Sequence, residues 1–119
     1  MAEQKIELIG TGDIHDGEMK EVASGGGHFL VAKVAGQFYV TDGRCPHLGG
    51  RLAAGKLDGT VVTCPLHGSR FDLSDGRVVL WTNWTGVLLK VSETLRAPRG
   101  LNTYKPVIEG DKVFIYTGV

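Results

Sequence analysis

Cys45-Pro46-His47-Leu48-Gly49 and, a short way on, Cys64-Pro65-Leu66-His67-Gly68-Ser69 are the residues on which the reading of this chain turns. They hold both of its cysteines and two of its four histidines. Each half offers one thiolate and one imidazole, donors that suit transition metals and not hard cations such as calcium or magnesium. If the two halves approach each other, two sulfurs and two nitrogens meet at one point. Cys45, His47, Cys64 and His67 are therefore the candidate metal ligands.

The donor set by itself admits several centres. A tetrahedral zinc site uses the same ligand types, but its usual order pairs Cys with Cys and His with His, whereas each half here mixes the two. A Cys45–Cys64 disulfide or a Cys/His nucleophilic pair would leave the prolines, the glycines and at least one histidine without a role. An iron–sulfur cluster in which two histidines replace two cysteines on one iron uses all four side chains. The quoted residues resemble the two cluster-binding loops of the Rieske family. That resemblance implies one Rieske-type [2Fe–2S] cluster, with Cys45 and Cys64 on the inner iron and His47 and His67 on the outer one. It also implies an all-β fold of antiparallel sheets in a sandwich, with a small cluster-binding subdomain of two loops.

The resemblance extends to neighbouring positions. Ser69 matches a serine whose hydroxyl donates to a bridging sulfide in high-potential members, and Phe71 stands where those members carry a tyrosine that donates to a cysteine sulfur. Exchanging thiolates for neutral imidazoles eases reduction, which puts Rieske centres at about −150 to +300 mV. With one of two donors missing, the potential is expected below that of the respiratory class. Respiratory members also carry an extra cysteine in each loop, where this chain has Gly50 and Leu66, so packing has to hold the loops. Pro46, Leu48, Pro65 and Leu66 are expected to form an apolar docking collar around exposed imidazoles, a contact of the small size common to electron-transfer partners.

A chain of 119 residues makes one domain, 1–119, with residues 43–80 or so forming the cluster-binding part. It has no room for a second catalytic unit. Only His15 and His28 remain beyond the ligands, and both lie in the N-terminal quarter with no room around them for an oxygenase domain built on an iron held by two histidines and a carboxylate. The expected role is electron transfer, not catalysis. With 13 basic and 13 acidic side chains the formal charge is zero, which argues against nucleic acid as a partner. No eighteen-residue apolar run and no leader pattern occurs, so no membrane span is expected and a cytoplasmic location is. Reserving both cysteines for a metal fits a reducing compartment. The resemblance implies a flavoprotein reductase and a terminal, aromatic-ring-hydroxylating-type oxygenase as transient partners. Two other readings are a Rieske-like small subunit of a larger redox enzyme, such as an assimilatory nitrite reductase, and a structural zinc-binding domain.

Periodicity supplies the elements. Ile6 and Leu8 alternate with polar residues in an opening strand, and a short strand is expected near 19–22. Gly25-Gly26-Gly27 lacks the lysine and hydroxyl of a phosphate-binding loop and reads as a hairpin turn. Strands at 28–34 and 37–41 are joined by Ala35-Gly36. Residues 51–56 read as irregular, 57–59 as a turn, 60–63 and 70–73 as strands, Ser74-Asp75-Gly76 as a turn, and 77–81 as the returning strand. Val87, Leu88, Val91 and Leu95 recur at helical spacing, so a short helix is expected within 85–97, covering a sheet edge or, with Trp84, forming a docking face. Strands at 103–109 and 112–117 close the chain.

Overall fold

The computed structural model describes residues 4–24, 27–44, 51–65, 68–80 and 100–117. In chain order the described elements are β1 (Gln4–Gly10), β2 (Glu18–Ser24), β3 (Gly27–Val34), β4 (Gln37–Asp42), a 3-10 turn (Leu52–Ala54), β5 (Lys56–Asp58), β6 (Val61–Thr63), β7 (Arg70–Asp72), β8 (Val78–Leu80), β9 (Thr103–Tyr104), β10 (Val107–Glu109) and β11 (Lys112–Thr117). Among these residues the strands form three antiparallel sheets, ordered β1-β11-β10, β2-β3-β4-β9 and β5-β6-β7-β8.

The run Phe29-Leu30-Val31-Ala32 on β3 explains how the sheets stack. All four residues are buried, and successive side chains on a strand point to opposite faces. Phe29 and Val31 pack with Ile6, Leu8, Ile14, Val40 and Ile115, on the side of β1 and β11. Leu30 and Ala32 pack with Leu52, Val62, Cys64, Phe71, Leu73 and Leu101, on the side of β5 to β8. The sheet containing β3 is thus the middle layer, which is why β3 is apolar without alternation. Burial of each large side chain contributes roughly 1.5–3 kcal/mol.

Local chemistry sets the hairpins. Val34 pairs with Gln37 across Ala35 and Gly36, whose φ values of +52° and +80° are those of the mirror-image turn that matches strand twist. Ser24 pairs with Gly27, so β2 and β3 are paired to their ends; Gly25 and Gly26 of the expected turn lie outside the described residues.

Two expectations change and a third is not reached. Residues 57–59 do not simply turn: Lys56–Asp58 is β5, paired with β6, and too short to show a period of its own. The expected strand 103–109 is two strands in different sheets, β9 on β4 and β10 on β11. Pro106 between them lacks the N–H that a continuous ladder needs. The helix expected within 85–97 lies outside the described residues.

A close backbone crossing ties the third sheet to the middle one. The Leu101 N–H donates to the Gly76 carbonyl at 2.8 Å, and the Asp42 N–H at the end of β4 donates to the Asn102 carbonyl at 3.1 Å. Gly76 has φ +78°, and a Cβ there would lie 2.2 Å from the Leu101 carbonyl oxygen. Gly59, at φ +58°, faces open space. Gly76→Ala is therefore expected to lower stability by well over the ~1–2 kcal/mol left-handed penalty that Gly59→Ala incurs. Equal unfolding midpoints for the two variants would contradict the crossing.

Candidate metal centre

Both ligand segments sit between backbone positions that pair. On the second segment, β6 and β7 run in register from Val61↔Asp72 to Thr63↔Arg70. The next pair closes the loop: the Cys64 N–H donates to the Ser69 carbonyl at 2.7 Å. Gly68, at φ +70°, donates its N–H back to the Cys64 carbonyl at 3.2 Å. A left-handed residue is needed there to turn the chain, and glycine supplies it without strain. Both backbone groups of Cys64 are thereby satisfied, leaving the thiol as its reactive group.

The first segment is flanked in the same way. Arg44 and Arg51 form an antiparallel bridge around residues 45–50. The Gly43 N–H donates to the His28 carbonyl at 2.9 Å, and the Leu52 N–H donates to the Gly43 carbonyl at 3.2 Å. The approach to the segment is anchored further back, where the Tyr104 hydroxyl donates to Asp42 Oδ1 at 2.7 Å. Burial, followed by this bond to a carboxylate, pushes the Tyr104 phenol up to about 12. It stays a donor across the physiological range.

The exit of the first segment presses on the entry to the second. A Cβ on Gly55 would fall 1.8 Å from the Thr63 carbonyl oxygen and 3.2 Å from Pro65 Cδ. Only glycine lets the 3-10 turn lie against the strand that delivers Cys64. Sequence reading passed Gly55 over as part of an irregular stretch, because nothing local marks a tertiary contact.

Of the four expected ligands, Cys64 is described: it carries a free thiol, buried to 2% exposure. Cys45, His47 and His67 lie outside the described residues, as do Pro46, Leu48 and Leu66 of the expected collar. Pro65, the remaining collar residue, is exposed. Cys64 shares its apolar cluster with Leu52 and Phe71, while Ser69 is buried to 1% and Phe71 fully. His15 and His28 are both exposed. Among the described residues no group of three or more His, Cys, Asp or Glu side chains gathers to offer a rival metal site. A buried thiol on a glycine-turned hairpin, with the stretch that follows the first segment pressed at Gly55 against the strand that delivers it, fits a cluster bound by two loops.

Comparison with known proteins agrees. The model of the Rieske [2Fe-2S] domain matches residues 4–99, and the chain belongs to that family. It is 32% identical to the ferredoxin component of the naphthalene 1,2-dioxygenase system of Pseudomonas aeruginosa, over 97% of both chains. Its fold is similar to that of the Sphingomonas yanoikuyae B1 ferredoxin, with TM-score 0.77 and 28% identity over 97% of this chain and 100% of the other. It also superposes on the ferredoxin of carbazole 1,9a-dioxygenase from Nocardioides aromaticivorans IC177, with TM-score 0.76 and 18% identity over 94% and 96% of the two chains. The cofactor is a Rieske-type [2Fe–2S] cluster, and the protein is an electron carrier rather than an enzyme. Among the described residues no helix is long and apolar enough to cross a membrane.

The hairpin beyond the second ligand segment depends on Asp72, which the sequence did not single out. Its carboxylate accepts from Ser74 Oγ at 2.6 Å, Ser74 N–H at 2.9 Å and Thr60 Oγ1 at 3.0 Å, with Arg77 Nη2 3.4 Å away. The Ser74 hydroxyl first, then its N–H, hold the carboxyl below the ordinary 3.8. A lowered folded-state value stabilises the fold above the unfolded value and ceases to do so as pH falls through the folded one. Asp72→Asn should cost about 1 kcal/mol at pH 7, and the gap from wild type should narrow as pH drops below about 4. Thermal unfolding of both proteins from pH 7 to pH 3 checks this; a gap that does not narrow would contradict it.

Proposed function

We propose that this chain accepts single electrons from a flavoprotein reductase and delivers them to a terminal, aromatic-ring-hydroxylating-type oxygenase. The observation that carries the reading is the match along 97% of the chain to a dioxygenase-system ferredoxin component, joined to a buried thiol where such a protein needs a ligand. In this reading residues 1–119 are one Rieske domain, with about 43–80 as its cluster-binding part. Cys45 and Cys64 hold the inner iron and His47 and His67 the outer. Bound there, the [2Fe–2S] cluster supplies one-electron transfer at a potential above that of all-cysteine plant-type clusters.

The surrounding residues divide the remaining work. Leu52 and Phe71 keep water from the Cys64 sulfur, in the cluster of side chains they share. Pro65 is exposed within the second segment, and with Pro46, Leu48 and Leu66 it makes an apolar collar against which a partner docks. Zero formal charge makes long-range steering weak, so contact depends on this short-range surface. Assignment of both cysteines to the cluster supports a cytoplasmic setting.

A reconstituted assay tests the reading. The red-brown protein should be reduced by an NADH-dependent flavoprotein reductase and should support multiple turnovers of a ring-hydroxylating oxygenase, whereas Cys64→Ser should be colourless and inactive. A colourless wild type that retains zinc would overturn it.

Phe71 offers a second measurement. A phenol at this buried position adds a hydroxyl beside the Cys64 sulfur, and such a donor favours the more negative redox state. If the hydrogen bond favours that state by ~1.4 kcal/mol, Phe71→Tyr raises the midpoint potential by about 60 mV. An unchanged or lowered potential would remove Phe71 from this role.

A further inference from the structure

A nearly buried carboxylate lies at the base of the first ligand segment, far from it in sequence. Glu21 projects from β2 with its side chain 11% exposed. Its two oxygens accept from Arg51 Nε at 3.3 Å and Nη2 at 3.2 Å, the two-pronged arrangement that suits guanidinium and carboxylate. Arg44 Nε is 3.9 Å from Oε1, and His28 Nδ1 is 3.8 Å from Oε2. Arg44 and Arg51 are the bridged residues that bracket 45–50. One carboxylate therefore contacts both ends of the segment that carries Cys45 and His47.

The chemistry of the chain gives this contact a purpose. With two cysteines in all, and both assigned as ligands, no disulfide is left to fasten the loops. The Arg44–Arg51 bridge is isolated, outside the sheets, and backbone pairing of that extent is weak by itself. A carboxylate withdrawn from water persists when paired, and pairing with two guanidinium groups draws those groups together. β2 is a rigid base for it, paired with β3 along its whole length, with Glu21 opposite Leu30.

We propose that Glu21 is a positioning residue that clamps Arg44 and Arg51, and through them fixes the Cys45–His47 segment around the [2Fe–2S] cluster. The inference rests on the Rieske assignment and extends it to a residue outside both ligand loops. Because the carboxylate balances two cations beside the centre, it also holds the potential down.

The test compares Glu21→Gln, Arg51→Gln and the double variant with wild type, each isolated with its cluster. Loss of visible absorbance under a chelator, the midpoint potential, the paramagnetic signal of the reduced protein and the thermal unfolding midpoint are measured. Each single variant should lose the cluster roughly 10- to 100-fold faster, the range for groups that orient metal ligands. Glu21→Gln should also raise the potential and alter the paramagnetic signal. The double variant should be little worse than either single one, as expected of two groups acting as a unit. Single variants that match wild type in cluster loss, potential and signal would overturn the clamp, as would a fall in unfolding midpoint alone or additive losses in the double variant. A wild type with no iron–sulfur absorbance would overturn the Rieske assignment together with the clamp.

Discussion

The constraint on which the metal centre depends is the closure of backbone around its ligand segments. The Cys64 N–H meets the Ser69 carbonyl, and Arg44 pairs with Arg51, so each segment leaves and rejoins the body of the protein at nearly one point. A metal-binding loop made of small residues has little packing of its own, and its geometry is inherited from where its ends are held. In the second segment Pro65 has its φ fixed by its ring, and Gly68, at φ +70°, supplies the left-handed turn that lets the chain rejoin β7. The two closures differ in kind. The second extends the β6–β7 ladder, whereas the first is an isolated bridge reinforced by side chains.

What brings the closures together is the three-layer stack. β3 is the shared wall: Phe29 and Val31 face one core, Leu30 and Ala32 the other. Cys64 belongs to the second core, so the proposed ligand is also a packing residue. This couples the thiol of the second segment to global stability. The glycines at 55 and 76 serve the same end, each permitting one stretch of backbone to lie on another where a methyl group would intervene. A carrier of this kind benefits from such rigidity, because electron transfer is quickest when little has to rearrange.

Much of the β framework was legible in the sequence, for identifiable reasons. Hairpins announce themselves through residues that accept left-handed backbone, and Ala35-Gly36 falls where β3 turns into β4. Alternation marked the opening strand, and apolar runs marked β3 and β6. Legibility failed where pairing, not composition, makes the element. Lys56–Asp58 is a strand because β6 lies beside it. Thr103–Tyr104 and Val107–Glu109 part company at Pro106 because different sheets claim them.

For the centre, the sequence by itself marked which side chains are candidate ligands, because donor type and spacing are local and chemical, and the resemblance of the two segments to the Rieske loops implied the cofactor. It marked Cys64, Ser69 and Phe71 as neighbours of that cofactor, and the fold buries all three. Only the tertiary structure decided what holds the segments in place. Glu21 comes to Arg44 and Arg51 across 23 and 30 residues of chain, Gly55 comes to Thr63 through a turn, and Gly76 comes to Leu101 between distant strands. Such contacts leave no periodic trace. They arise when sheets stack and carry residues of unremarkable sequence context to one place.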